Sequence, residues 1–493
     1  TGGVYGNSGY YIRDLDASGI RVYSAGAEAQ YVGGIIGTDA RGQKWTVDDV
    51  QVIASGAGAS YTGGVTGTGL TLKNSQKETS HMTNIQVSGN NLVGGITGSS
   101  LETTNLEVAH VEVTGKGSQV GGLQANSGST KRYLKASYIR VRGGGAMIGG
   151  IIGGGTGGIT LYNSTITDVE VVAYGDATQL SDVTPYSGTI WHPDTAEPAS
   201  NGSYVGGILG TFAGGSIQRI TIKNISVYAT GSNVGGVAGG IQGGISRVNG
   251  KNIRVHAEGT ENVGGGAGRM IDNYMEANVL LDASVVAPNA SNVGGLIGRM
   301  EYQASDNYSG ASYNTVKAVI SAGSKQADGA VTSVGGLVGS VQNTRTIALN
   351  TVEADIRAAH ASGVGGLVGT WEKGTNPNPY NNEYYNIVTA KVVGYDMVSG
   401  LTGLYRQAIY YKGMSVYRNL AAVDVTALNN NGYASFFYNM QKDEGGTVVQ
   451  DQNLYNGPNE ADRPYPYLLK LWDDSKITVG GTADADGNVS GGT

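Results

Sequence analysis

The residue types that most often do chemistry are sparse in this chain. It has five histidines, His81, His110, His192, His256 and His360, and no cysteine. The lack of cysteine removes thiolate nucleophiles, sulfur-ligated metal sites and disulfides together. Adjacent carboxylates occur at Asp48-Asp49, Asp443-Glu444 and Asp473-Asp474. Acid–base work on a glycosidic bond needs two carboxylates facing each other across a cleft, whereas neighbours on a strand point to opposite faces. Each pair is therefore poorly placed to cooperate, although alignment of separate strands leaves distant carboxylates free to meet. His192 and Asp194 stand close, but a metal site takes three or more converging ligands. Asp484-Ala-Asp-Gly487 begins like a calcium loop and lacks the later glutamate, so it reads as a turn. No catalytic residue, metal site or cofactor motif emerges, and the chain is expected not to be an enzyme.

Binding suits the remaining polar and aromatic residues better. The segment 176–203 interrupts a regular pattern and carries Tyr186, Trp191, His192 and three prolines. Loops inserted on a repeat scaffold often bind partners, and Trp191 with Tyr186 suits a sugar ring or a partner's pocket. The plainer alternative is a loop folded onto its own scaffold, with Trp191 filling a groove. A second insertion, 371–385, holds Trp371, Tyr380, Tyr384 and Tyr385 among asparagines and prolines, and a third spans 301–313. The 371–385 insertion reads as a protruding, turn-rich loop, open to a partner or covering the scaffold with its tyrosines. The formal net charge is −7 and no Lys/Arg cluster stands out, which makes nucleic acid a poor partner. No run of 18 apolar residues marks a membrane helix.

These residues are positioned by a repeat. Val32-Gly-Gly-Ile-Ile-Gly37 recurs as Val205-Gly-Gly-Ile-Leu-Gly210, Val293-Gly-Gly-Leu-Ile-Gly298, Val334-Gly-Gly-Leu-Val-Gly339 and Val364-Gly-Gly-Leu-Val-Gly369, among other copies. The first glycine of each pair falls at 2, 33, 63, 94, 121, 149, 206, 235, 264, 294, 335 and 365, and most steps are 27–31 residues. Between the motifs apolar and polar residues alternate, as in Ile220-Thr-Ile-Lys-Asn-Ile-Ser-Val227, the period of a half-buried strand. One such unit cannot bury its apolar face alone, but stacked copies can. The 83 glycines lack a Gly-X-Y period, and 39% of the 493 residues are hydrophobic, which excludes collagen and a flexible linker. The expected fold is all-β: a parallel β-helix or β-solenoid of about 13 glycine-motif repeats, with three strands per turn, inserted loops and a C-terminal aromatic cap. The glycines are expected to supply positive φ and close approach. The asparagine before Val in three copies (Asn233, Asn262, Asn292) reads as a turn residue, with a bonded ladder as the alternative.

The Val-Gly-Gly-Leu-x-Gly motif resembles the GLUG repeat of large bacterial surface proteins, including immunoglobulin A1-type zinc metallopeptidases and adhesins. The resemblance spans residues 1 to about 403. It implies a β-helical fold at a bacterial surface, extracellular or in an extracellular filament. The peptidases carry a His-Glu-x-x-His zinc motif in a separate domain, and none of the five histidines here opens one, so that activity does not carry over.

The expected organisation is a solenoid over 1–403, an aromatic-rich capping or contact segment over 404–472, and a polar Gly-rich tail over 473–493. The chain opens inside a motif copy at Gly2, Gly3, Val4 and Tyr5. An uncapped rung invites strands of another copy, and Tyr465, Tyr467 and Trp472 are candidate contacts at the other end. A cut through a longer protein gives the same start. The expected function is non-catalytic: a rigid surface-fibre subunit or adhesin stalk, whose partners are copies of itself or a host or cell-surface protein or glycan. A carbohydrate-active β-helix enzyme, or the repeat region of a secreted peptidase, is the alternative.

Overall fold

The computed structural model describes residues 2–3, 11–173, 204–302, 310–372, 382–406, 415–441, 448–450, 470–471 and 474–492, apart from gaps at 28, 57, 76, 127, 156, 260, 343–345, 418 and 485–488. These residues form strands and turns, with no helix among them. They are almost wholly parallel, and they divide into two compact units, 1–254 and 255–493.

In the first unit successive glycine motifs lie directly on one another. Tyr31–Gly33 pairs in register with Tyr61–Gly63, Gln119–Gly121 with Met147–Gly149, and Tyr204–Gly206 with Asn233–Gly235. One sequence repeat is thus one coil of a solenoid. A coil has three strands, for example Tyr31–Gly33, Ala40–Gln43 and Thr46–Ala54. The core is a set of apolar columns: Val47, Met82, Val108, Ala136, Ile166 and Ile222 stack in register, as do Val50, Ile85, Val111, Ile139, Val169 and Ile225. All are buried. Each coil buries the row that its neighbour would otherwise expose, so the hydrophobic gain is realised only by stacking.

The motif glycines act through space rather than torsion. None of them is among the residues with positive φ, which corrects half of the expectation. A Cβ on Gly33 would lie 1.9 Å from the Ile36 carbonyl oxygen of its own coil and 2.7 Å from the Gly67 nitrogen of the next, and one on Gly34 would lie 2.0 Å from the Gly64 carbonyl oxygen. The pair lets adjacent coils touch backbone to backbone. The left-handed positions instead hold larger residues in two columns, Lys44, Asn105, Tyr133, Asn163 and Arg219 in one, and Asp49, Asn84, His110, Tyr138, Asp168 and Asn224 in the other.

The second unit has four strands per coil, one more than expected. Asn292–Gly294, Ile297–Glu301, Gly310–Ser312 and Thr315–Ala322 make one coil. Its best-bonded feature is a buried asparagine ladder. The Asn278 Nδ2 donates to Asn314 Oδ1 at 3.0 Å, Asn314 to Asn350 at 3.0 Å, Asn350 to Asn386 at 2.9 Å and Asn386 to Asn419 at 2.9 Å. The backbone N–H of each donor residue reaches the same oxygen, at 3.0–3.1 Å. The second Nδ2 proton of Asn314, Asn350 and Asn386 goes to the main-chain carbonyl of Met275, Ala311 and Ile347, at 3.0 Å in each case. Full satisfaction is what allows a polar column inside the fold.

Asn262 and Asn292 likewise sit in strands, and the Asn292 Nδ2 donates to Asn262 Oδ1 at 2.8 Å. For this pair the ladder reading holds and the turn reading does not. The parallel register also runs past 403: Ile387–Ser399 pairs with Leu420–Ala427, which in turn pairs with Lys476–Val479. Fading of the glycine motif therefore does not mark the end of the ladder. Tyr438–Gln441 receives an antiparallel strand, Val448–Gln450.

Candidate functional site

The residues proposed from sequence fare unevenly. Tyr186, Trp191, His192, Tyr380, Val4, Tyr5, Tyr465, Tyr467 and Trp472 lie outside the described residues. Trp371 is not on a protruding turn. It belongs to the strand Val368–Glu372, is 2% exposed, and stacks on Tyr405 with ring centroids 5.7 Å apart. An indole placed on an inward strand position is worth more as core than as a partner contact. Tyr384 is half-buried, and Tyr385, 40% exposed, meets it edge-on at 5.6 Å. Gly2 forms a parallel bridge with Gly33, and the Gly3 N–H donates to the Gly34 carbonyl at 3.0 Å, so the first motif copy is seated on the second.

Two ionisable side chains are buried among strands. Lys131, 0% exposed, stands in the inward column Leu72, Thr103, Lys131, Leu161 and Ile217. Its Nζ donates to Ser129 Oγ at 2.9 Å, and burial pushes its pKa down to about 7. Glu383 replaces an apolar residue in the column Met275, Ala311, Ile347. Burial raises its pKa against the opposing pull of the Tyr405 and Thr402 hydroxyls, which donate to Oε2. Neither faces solvent, so neither is a binding group.

A large concave surface belongs to the first unit, and the left-handed column creates it. In the third strand of each coil one extra residue is inserted at φ of 51–56°. The inward residues then fall three apart, Val47 and Val50, Met82 and Ile85, Ile139 and Val141 resuming alternation beyond it. The insertion bends the sheet locally, as a bulge does. Because it recurs at the same height in each coil, the bends align into a groove of about 690 Å³. Two polar rows line it. The first is Asp49, Asn84, His110, Tyr138, Asp168 and Asn224; the second is Gln51, Gln86, Glu112, Arg140, Glu170 and Ser226, with Arg21 at one end.

The groove side chains bond along the stack. Arg21 pairs with Asp49 at 2.7 Å, and Gln51 donates to Gln86 at 3.2 Å. Arg140 stands between Glu112 at 3.6 Å and Glu170 at 3.4 Å. Asn224 donates to Asp168 at 2.7 Å, and the His110 and Tyr138 rings stack in parallel, 4.8 Å apart. Val50 and Val169 touch the groove but are 1% and 2% exposed. The left-handed Asp49 also brings both members of the Asp48-Asp49 pair to the outer face, contrary to strand alternation. The two are committed to different partners. Asp48 accepts from Thr83 and Asn84, which hold its carboxyl below the usual range, and Asp49 pairs with Arg21. No group of three metal-ligating side chains converges among the described residues.

Sequence reasoning missed the groove entirely. Its only trace is a polar pair in place of a single polar residue midway along the third strand, as in Thr83-Asn84 or Thr167-Asp168. The protein defined by this architecture is an all-β, solenoid-like parallel stack. Compared with known proteins, the chain matches no family model, no curated protein and no solved structure.

Proposed function

We propose that this chain is a non-catalytic extracellular structural and adhesive protein, a surface-fibre subunit or adhesin stalk of the GLUG-repeat kind. In this reading about 13 glycine-motif coils form the shaft, the ladder continues beyond 403 through 420–427 and 476–479, and the aromatic-rich residues among these last strands cap it or join it to another copy. The observation that carries the reading is the state of the groove carboxylates. Asp49, Glu112, Asp168 and Glu170 lie along ladders on one open surface, and each is tied to a neighbouring guanidinium or amide. Asp168 and Glu170 line the groove from its two rows, but Asn224 and Arg140 already engage them, so neither is left free as the acid or base that sugar hydrolysis requires. A stack of this kind is suited to presenting a regular surface.

Electron microscopy of the purified chain across a concentration range tests the proposal, together with reducing-sugar and unsaturated-product assays on a polysaccharide panel. Threads, or separate elongated particles, without turnover are expected. Turnover that is lost on mutating Glu112 or Glu170 would overturn the non-catalytic reading.

A further inference from the structure

We infer that the groove of the first unit is a binding site for a linear, uncharged glycan lying along the stacking direction. The inference rests on the adhesive reading above and names its ligand class.

Three observations carry it. The groove, about 690 Å³, runs without a break across the seven coils whose residues line it, the shape of a trough for an extended ligand. The polar groups that line it are amides, carboxylates, guanidinium groups, the Ser226 hydroxyl, one imidazole and one phenol. These groups repeat at the coil spacing of ~4.8 Å, close to the strand-to-strand distance that sets it. A chain of hydroxyl-bearing rings can meet such an array with a donor and an acceptor at every step, and planar carboxylate and guanidinium groups are the strongest of those partners. The existing side-chain bonds hold the array in place before a ligand arrives, which lowers the ordering cost of binding.

Charge selects among glycans. Two guanidinium groups, Arg21 and Arg140, stand against four carboxylates, Asp49, Glu112, Asp168 and Glu170, leaving two net negative charges with His110 neutral. Polyanionic chains are therefore repelled. A peptide is disfavoured on other grounds. The third-strand backbones beneath the groove pair coil to coil, so no strand edge is open for augmentation. The apolar members Val50 and Val169 are sealed, and the apolar pocket beside the groove at Val113, Val141 and Val172, about 20 Å³, is too small for an anchoring side chain.

His110 and Tyr138 occupy the middle of the groove. Tyr138 is 55% exposed, in a left-handed conformation that glycine adopts without strain. Tyr138→Gly therefore deletes the central ring without endangering the fold, and Tyr133→Gly, on the other left-handed column, is the matched control.

The test is calorimetric titration of the full chain with neutral linear oligosaccharides (β-linked glucose, xylose and N-acetylglucosamine series), with polygalacturonate as the anionic comparison. Binding to at least one neutral series is expected, tightening with oligomer length until the groove is filled. A roughly tenfold loss is expected in Tyr138→Gly and in Arg140→Gln, and none in Tyr133→Gly. No binding in any neutral series overturns the inference, as do equal binding of the anionic chain, unchanged affinity in both groove variants, or competition by peptides alone. Threads that bind no sugar would remove the glycan site and leave the structural reading standing. Sugar bound in the groove and then cleaved would remove the non-catalytic reading and leave the site.

Discussion

The two units close a parallel coil in different ways at the corner that leads into the long strand. In the first unit the residues following the left-handed Lys44, Asn105, Tyr133, Asn163 and Arg219 are Trp45, Leu106, Leu134, Ser164 and Ile220, all buried. In the second the residues following Ala277, Tyr313, Leu349 and Tyr385 are Asn278, Asn314, Asn350 and Asn386. The first corner is held by apolar contact, with a serine bond such as Leu134 N–H to Ser164 Oγ at 3.1 Å. The second is held by a continuous amide ladder. The difference extends outward. The first unit bends each long strand again at a second left-handed residue and so acquires its groove. In the second unit such an insertion occurs at Asp282, where the register shifts, and Val316, Ala318 and Ile320 then alternate inward without a break. Apolar corners tolerate varied residues, whereas an amide ladder demands the same residue in every coil, because each asparagine is both donor and acceptor for its neighbours.

The comparison can be broken most directly at what the units share. Gly64→Val and Gly336→Val place a Cβ 2.2 Å from the Gly95 carbonyl oxygen and 2.0 Å from that of Gly366. Each should cost on the order of 5 kcal/mol or abolish folding, in the first and second unit alike. Urea denaturation that spares either variant would show that the coils do not need this close approach.

The corners themselves should respond unequally. Asn350→Ala removes two donated bonds and the acceptor for both Asn314 donors. It should destabilise by ~4 kcal/mol, since several buried groups lose their partners. Ser164→Ala should cost only ~1–2 kcal/mol, for one orphaned N–H. Equal losses in the two variants would contradict the contrast between ladder and apolar corner.

Buried charge should give the units opposite pH responses. Lys131 in the first unit has its folded pKa lowered from 10.5 to about 7. The unfolded chain then binds the extra proton, so the Lys131 contribution to stability improves as pH rises from about 7 towards 10.5. Glu383 in the second unit has its folded pKa raised above the ordinary 4.5. The folded state keeps the proton, so its contribution is full at low pH and is lost as pH rises through the folded value. Lys131→Met and Glu383→Gln should each stabilise the chain near neutral pH and remove opposite slopes from the stability–pH profile. Slopes that persist in both variants would show that these groups are not the cause.

The smallest effect belongs to the groove. Tyr138→Gly should leave the melting temperature within a few degrees of the parent, because relief of left-handed strain, ~1 kcal/mol, offsets the lost ring stacking. A large loss would make Tyr138 a structural residue instead of a binding one.

Several of these features are legible at the level of residues. Val32, Gly33, Gly34 and Ile35 announce a coil that meets its neighbour at van der Waals distance, and the alternation in 220–227 announces a strand with one buried face. The asparagine ladder was within reach, since Tyr313-Asn-Thr-Val316, Leu349-Asn-Thr-Val352 and Tyr385-Asn-Ile-Val388 recur at a step of 36 residues. The glycine motif, with its shorter steps elsewhere, drew attention away from that longer period. Trp371 misled because the asparagines and prolines that follow it suggest an exposed loop, while its own position continues an inward column.

The sequence by itself determined the repeat, the strand period and the absence of sulfur chemistry, because these depend on residue type at fixed spacing; one repeat per coil came from the strand register. Tertiary structure alone decided which side chains became neighbours across 26–56 residues, and so where the groove lies. The left-handed bends that open it are made by tyrosine and histidine as well as asparagine and aspartate. Asparagine and aspartate tolerate that conformation, but tyrosine and histidine carry no local signal for it; packing of coil on coil holds them there.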